Sequence, residues 1–198
     1  ELFRAHPKLF VGYSDLTYVH LFLDRLGIAS VHGPMVAREL ADGSYDRQSL
    51  LHALTGSGAP YSDDDLVPVR AGQARGTLRG GCLSILASAE GTPWALPRDP
   101  EGTILFLEDV DEAPYRVDRM LLQLRDAGTL ADVRGVVFGD MKGCSPPMAA
   151  SFSLVDVIRE ALAGLSIPIA LGLWLDWRSQ PMRRPLAAVK LAPPIRPA

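Results

Sequence analysis

Apolar runs of strand length alternate along this chain with segments of helical periodicity, often with glycine at the joints. That alternation restricts the chain to an α/β architecture. Residues 8–11 (KLFV) form a compact apolar run, and Val19, Phe22, Leu23 and Leu26 then recur at helical spacing before a second strand-like run at residues 28–32 (IASVH). Strand, helix and strand at this spacing predict a βαβ unit with parallel pairing. His32-Gly33-Pro34 closes it, and residues 46–54 (DRQSLLHAL) predict a short helix. Further along, residues 103–107 (TILFL), 135–138 (GVVF) and 167–171 predict strands. Between them lie helices carrying Val117, Met120, Leu121 and Leu124, and then Leu154, Val157, Ile158, Ala161 and Leu162.

A polar stretch divides this pattern. Residues 55–71 (TGSGAPYSDDDLVPVRA) are rich in Gly, Pro, Ser and Asp and read as a connection. The expected organisation is one α/β unit over 1–55, a linker over 56–74 and a second α/β unit over 75–198. The Asp63-Asp64-Asp65 run reads as a solvated turn, since no spaced partner ligands accompany it. Residues 75–81 (RGTLRGG) precede a predicted helix over 82–89. Paired glycines there permit close backbone approach, either to a phosphate or to neighbouring chain. Without a following Gly-Lys-Ser/Thr they are not a P-loop.

The 198 residues are 47% hydrophobic and 22% charged, which suits one or two compact domains. A net charge of −3 without a basic stripe argues against nucleic acid or an anionic membrane as partner. The longest apolar stretch, residues 167–175, is too short to span a bilayer. Cys82 and Cys144 show neither metal-type nor redox-type spacing and read as small buried hydrophobes, in keeping with a reducing, cytoplasmic compartment. No metal or organic cofactor is implied. The sequence begins at Glu1 and enters a strand within ten residues, from which an upstream piece is expected.

Within the first βα joint, residues 12–17 (GYSDLT) put Ser14 on the bend between strand and helix. A hydroxyl there stands at the positive end of a helix, where neighbouring amides can receive an oxyanion. The alternative is an ordinary helix N-cap, and the full G-x-S-x-G pattern is absent.

Three stretches taken together resemble the LD-carboxypeptidase family of serine peptidases, which includes the microcin C immunity peptidases. They are GYSDLT with HGPM at 32–35; LRGGCLSILASAEGTPW at 78–94; and ILFLEDVDEAPYRVDRMLLQL at 104–124 followed by GVVFGDM. The likeness spans nearly the whole chain. It implies the remainder of an N-terminal parallel, Rossmann-like α/β domain followed by a C-terminal α/β domain with its own small sheet. It also implies a Ser-Glu-His triad, with the serine at Ser14 and the carboxylate at Glu108. A carboxylate at a strand end suits the task of orienting an imidazole. Glu112 is the rival in the same loop. By the same resemblance the Asp15 amide is an oxyanion donor, and the substrate is a murein peptide losing a terminal D-amino acid. The resemblance also leaves room for a homodimer and for an immunity-type substrate, an aminoacyl-adenylate analogue.

The chain departs from the family where its histidine is due. Aligned without a gap, Asp176-Trp177 stands where the family has Gly-His, and Ala187 replaces a later glycine. An indole N–H donates only, so Trp177 cannot act as a base. Histidine does not occur after His52. Of those that remain, His6 precedes the first strand, His20 lies down the helix from Ser14 on another face, and His52 sits near the linker. His32 faces the expected crevice and reads as a pocket or structural residue. These features leave two expectations: a peptidase impaired by its missing base, or a non-catalytic peptide binder.

Overall fold

The computed structural model describes residues 1–56, 66–146 and 152–172, together with the backbone of 189–191. A short helix α1 (Leu2–Ala5) leads into strand β1 (Val11–Gly12), and a 3-10 turn (Ser14–Leu16) opens directly into helix α2 (Thr17–Arg25). Strand β2 (Ser30–His32) follows, then helices α3 (Glu39–Asp42) and α4 (Arg47–Thr55). The second half comprises strand β3 (Val67–Arg70), strand β4 (Thr77–Cys82), helix α5 (Leu83–Ala89), strand β5 (Thr103–Val110) and helix α6 (Pro114–Asp126). It continues with strand β6 (Val133–Lys142), helix α7 (Leu154–Ala161) and strands β7 (Ile169–Leu171) and β8 (Val189–Leu191).

Two sheets result. In the first, β1 and β2 pair in parallel as the βαβ pattern predicts, and β8 adds to β2 antiparallel. The second has the order β3-β7-β6-β5-β4, all parallel except its antiparallel edge strand β3. Leu105, Leu107, Val136, Phe138 and Ile169 from this sheet form one buried core with Leu83 and Leu86 of α5, Val117, Leu121 and Leu124 of α6, and Ile158 of α7. The apolar stripe read on α6 is therefore its packing face. Local signals fix the helix starts. Asp46 caps α4 by accepting from the Ser49 amide, Pro114 occupies the first turn of α6, and Ser153 and Asp156 form a reciprocal capping box on α7.

Three segments depart from the sequence reading. Residues 67–70, placed in the connection, form the edge strand β3, where Pro68 is tolerated because an edge has a free side. Arg70 fastens that edge by donating to the Leu162, Leu165 and Ile167 carbonyls beyond α7. Residues 77–82, read as a glycine-rich approach to a helix, are strand β4. Residues 189–191, placed with the second unit, pair in the first sheet. The residues 57–65, including the Asp63-Asp64-Asp65 run, lie outside the described residues. Among the described residues no helix is long and apolar enough to cross a membrane, and no group of His, Cys, Asp or Glu is arranged to hold a metal ion.

Candidate active site

Ser14 sits at the bend with φ +58°, one of two non-glycine residues with positive φ among those described. A side chain in the left-handed region costs of order 1–2 kcal/mol, so the surroundings must hold it there. At Gly12 a Cβ would stand 2.4 Å from the Leu16 Cδ1, so the Leu16 side chain packs over the bare Cα. The Leu16 amide then closes the turn on the Tyr13 carbonyl at 3.2 Å. Ser14 is thus the strained residue of a strand-turn-helix bend and not a side-chain cap; no side-chain capping bond is present at either start, the 3-10 turn or α2.

The bend is anchored to the second sheet. Thr17 is fully buried, and its Oγ1 accepts from the Cys82 amide at 3.1 Å. That approach needs Gly81, whose hypothetical Cβ would lie 2.6 Å from Thr17 Oγ1. At Gly80 a Cβ would lie 1.8 Å from the Phe106 carbonyl oxygen. The paired glycines serve close approach of chain to chain, not a phosphate. Cys82 is also the residue opposite Glu108 in the β4–β5 register, so one hydrogen bond and one strand pairing connect the Ser14 bend to Glu108.

The two neighbouring acids at the end of β5 point to different tasks, as strand alternation requires. Asp109 faces the helix layer, where its Oδ2 accepts from the Ser84 amide at 2.8 Å in the first turn of α5. Glu108 faces the other way, beside Phe106, and its Oε1 lies 4.0 Å from His32 Nε2. Glu112, the rival, sits further along the loop and engages Arg116 at 3.4 Å.

Each described histidine has a definite setting. His6 is exposed, and His52 is half-buried in α4. His20 bridges β1 and β2: its Nε2 donates to the Gly12 carbonyl at 2.9 Å, which leaves Nδ1 to accept from the Ser30 hydroxyl at 2.7 Å. Burial lowers its pKa, in keeping with that neutral tautomer. His32 is 2% exposed and packs edge-on against Phe106 with centroids 5.0 Å apart. Burial, with a smaller contribution from His20, pushes its pKa down to about 3. An imidazole so weakly basic is a poor proton acceptor at neutral pH, and its position is that of a wall behind Glu108.

The cysteines are free and buried, with thiols pushed up to about 12 chiefly by desolvation, as small buried hydrophobes should be. Trp177, with the rest of 173–188, lies outside the described residues. A groove of about 700 Å³ runs past Pro68, Ile104, Gly135 and Pro168, at the N-terminal ends of the second sheet's parallel strands and opposite the end that bears Glu108.

Sequence reasoning missed Tyr13 and Glu39 as partners of the bend. Tyr13 donates its hydroxyl to Glu39 Oε1 at 2.9 Å, and Glu39 Oε2 accepts from the Met35 amide at 3.1 Å.

Comparison with known proteins gives a consistent picture. Residues 1–33 match the model of the LD-carboxypeptidase N-terminal domain and residues 75–175 that of the LD-carboxypeptidase C-terminal domain. A probable murein peptide carboxypeptidase of Bacillus subtilis is 36% identical over 95% of this chain and 60% of its own length. The crystal structure of a muramoyltetrapeptide carboxypeptidase from Oxalobacter formigenes superposes with a TM-score of 0.72 at 29% identity, covering 93% of this chain and 63% of that one. The microcin C7 self immunity protein MccF, in complex with aspartyl sulfamoyl adenosine, shares the fold with a TM-score of 0.75 at 20% identity over 96% of this chain and 64% of that one. The chain thus spans about three fifths of the length of these relatives.

Proposed function

The chain belongs to the LD-carboxypeptidase family, and from that premise we propose that the protein is a serine-type LD-carboxypeptidase releasing a terminal D-amino acid from a murein tetrapeptide. The observation that carries this reading is the strained Ser14 bend, tied through Thr17 and Cys82 to the strand pairing that ends at Glu108. Ser14 Oγ is the nucleophile and attacks the scissile carbonyl, the Asp15 amide serves the developing oxyanion, and the D-amino acid leaves as the acyl-enzyme forms; water then releases the acyl group. Glu108 is the carboxylate placed to orient an imidazole, which in this chain only a substitution such as Trp177→His would supply. The relatives named as murein peptide carboxypeptidases support the substrate class.

The reading includes slow turnover. Trp177 stands where the family's histidine is due, and His32, pushed down to about 3, is too weak a base to replace it. Loss of a general base costs about 10²–10⁴ in rate. The same substitution favours a second reading, a protein that binds the peptide without cleaving it.

The decisive experiment pairs fluorophosphonate labelling with release of D-Ala from tetrapeptide, for the natural protein and for Trp177→His. The expected result is faint activity raised about a hundredfold or more by the substitution and abolished by Ser14→Ala. Binding of tetrapeptide with no labelling at Ser14 in either protein would establish the binder instead. Fast turnover by the natural protein would overturn the lost-base account and leave the peptidase.

A further inference from the structure

We propose that Glu39 is a positioning residue that holds the Ser14 bend in its reactive shape through the hydroxyl of Tyr13. The inference rests on the reading of Ser14 as nucleophile. Glu39 is fully buried, yet it opens a helix of only four residues that has no packing need for an acid. Both its oxygens are committed, Oε1 to the Tyr13 hydroxyl and Oε2 to the Met35 amide. Burying a carboxylate is costly unless such bonds compensate it. Tyr13 is the residue immediately before Ser14, extended at φ −148° and ψ −170°, so the chain reverses from extended to left-handed across one peptide.

A strained residue persists only where its neighbours are fixed on both sides. After the bend, Thr17 is held by the Cys82 amide. Before it, β1 is only two residues long; His20 holds the Gly12 carbonyl, and the Tyr13 hydroxyl anchors the residue next to Ser14 itself. Glu39 fixes that anchor to the loop that follows His32, because Met35 is its other partner. The Tyr13 phenol lies above its ordinary pKa, chiefly through burial, with Arg38 opposing the rise and the Glu39 carboxylate adding to it, and so remains the donor at neutral pH. Neither Tyr13 nor Glu39 needs to touch substrate for this; both act through Ser14.

The test uses Tyr13→Phe, which removes one hydroxyl and keeps the ring, together with Glu39→Gln. The rate of fluorophosphonate labelling at Ser14 is measured in the Trp177→His background, and amide hydrogen exchange over residues 13–17 in the natural protein. Loss of one hydrogen bond to a carboxylate corresponds to roughly a tenfold fall in labelling rate. Exchange over 13–17 should rise in the same variants. The double variant should label no more slowly than the slower single one, since both substitutions break one linkage. Tyr13→Phe carries the test alone if Glu39→Gln does not fold. Unchanged labelling and unchanged exchange in Tyr13→Phe would overturn the proposal. If Trp177→His is not labelled at all, the nucleophile reading fails, and exchange still decides whether Glu39 orders the bend.

Discussion

The Oγ1 of Thr17 accepts a hydrogen bond from the backbone amide of Cys82 across the gap between the two sheets. Thr17 lies three residues after Ser14, and Cys82 is paired with Glu108. Thr17→Val keeps the shape and strands the Cys82 N–H in a buried site, which costs about 1–3 kcal/mol. Thr17→Ser retains the acceptor. Denaturant melts should therefore rank natural protein, Thr17→Ser and Thr17→Val in falling order, and Ser14 labelling should follow that order.

The glycines of β4 predict a graded series. Gly80→Ala drives a Cβ to 1.8 Å from the Phe106 carbonyl oxygen, and Gly81→Ala drives one against Thr17. Gly91, at φ +76°, has open space around it, so Gly91→Ala meets backbone strain alone, about 1 kcal/mol. In thermal melts Gly91→Ala should lose a few degrees. Gly81→Ala should lose more, and Gly80→Ala should fail to accumulate as folded protein.

Glu108 and Asp109 should separate stability from chemistry. Asp109→Ala removes the acceptor for the Ser84 amide at the start of α5, a cap worth about 1–2 kcal/mol. Glu108→Gln keeps the volume and leaves that cap intact. The midpoint of denaturation should drop for Asp109→Ala and hold for Glu108→Gln. Turnover by the Trp177→His protein should fall by orders of magnitude for Glu108→Gln. A reversed pattern would show that the carboxylates had been assigned the wrong way round.

Stability should fall with acid earlier than carboxylates alone would cause. His32 and His20 both have lowered pKa values in the folded state. The unfolded chain therefore takes up their protons first, and their contribution is complete above about pH 6.5. It is lost as pH falls toward about 3 for His32, with a slope of at most about 1.4 kcal/mol per pH unit for each histidine. Asp24, whose pKa is raised by burial, works in the opposite sense nearer its own range. The clean window is therefore about pH 5 to 6.5. Denaturation midpoints measured there should decline with acid in the natural protein and decline less steeply in His32→Asn, where His20 remains.

The alternation of strands and helices was legible because burial on one face writes a period into the sequence. Around Ser14 the local pattern showed a strand-to-helix joint but fitted an ordinary N-cap equally well; the family resemblance singled the serine out. The partition of Glu108 from Asp109 was also readable in principle, since adjacent strand residues face opposite ways. Strand β4 was not legible, because the sequence TLRGGC has no apolar alternation. Gly80 and Gly81 answer instead to Phe106 and Thr17, which are distant in sequence. β3 carries a proline, and β8 is three residues long and pairs with a strand more than 150 positions earlier, so neither announces itself locally. Glu39 had no signal at all. An acid in a short helix looks like surface until the fold brings Tyr13 over it.

Helix α2 meets the second sheet at one more point. Arg79 of β4, 5% exposed, pairs with Asp24 at 3.1 Å and with Asp99 at 3.7 Å. Asp24 lies two turns beyond Thr17 on the same side of α2, about 10 Å along its axis. A rod pinned at one point can still swivel; pinned at two, it cannot. The orientation of the bend that carries Ser14 is thus set by joinery across the whole length of a helix. A substitution at Arg79, which meets α2 two helical turns beyond Thr17, should loosen the Ser14 bend as surely as one beside it.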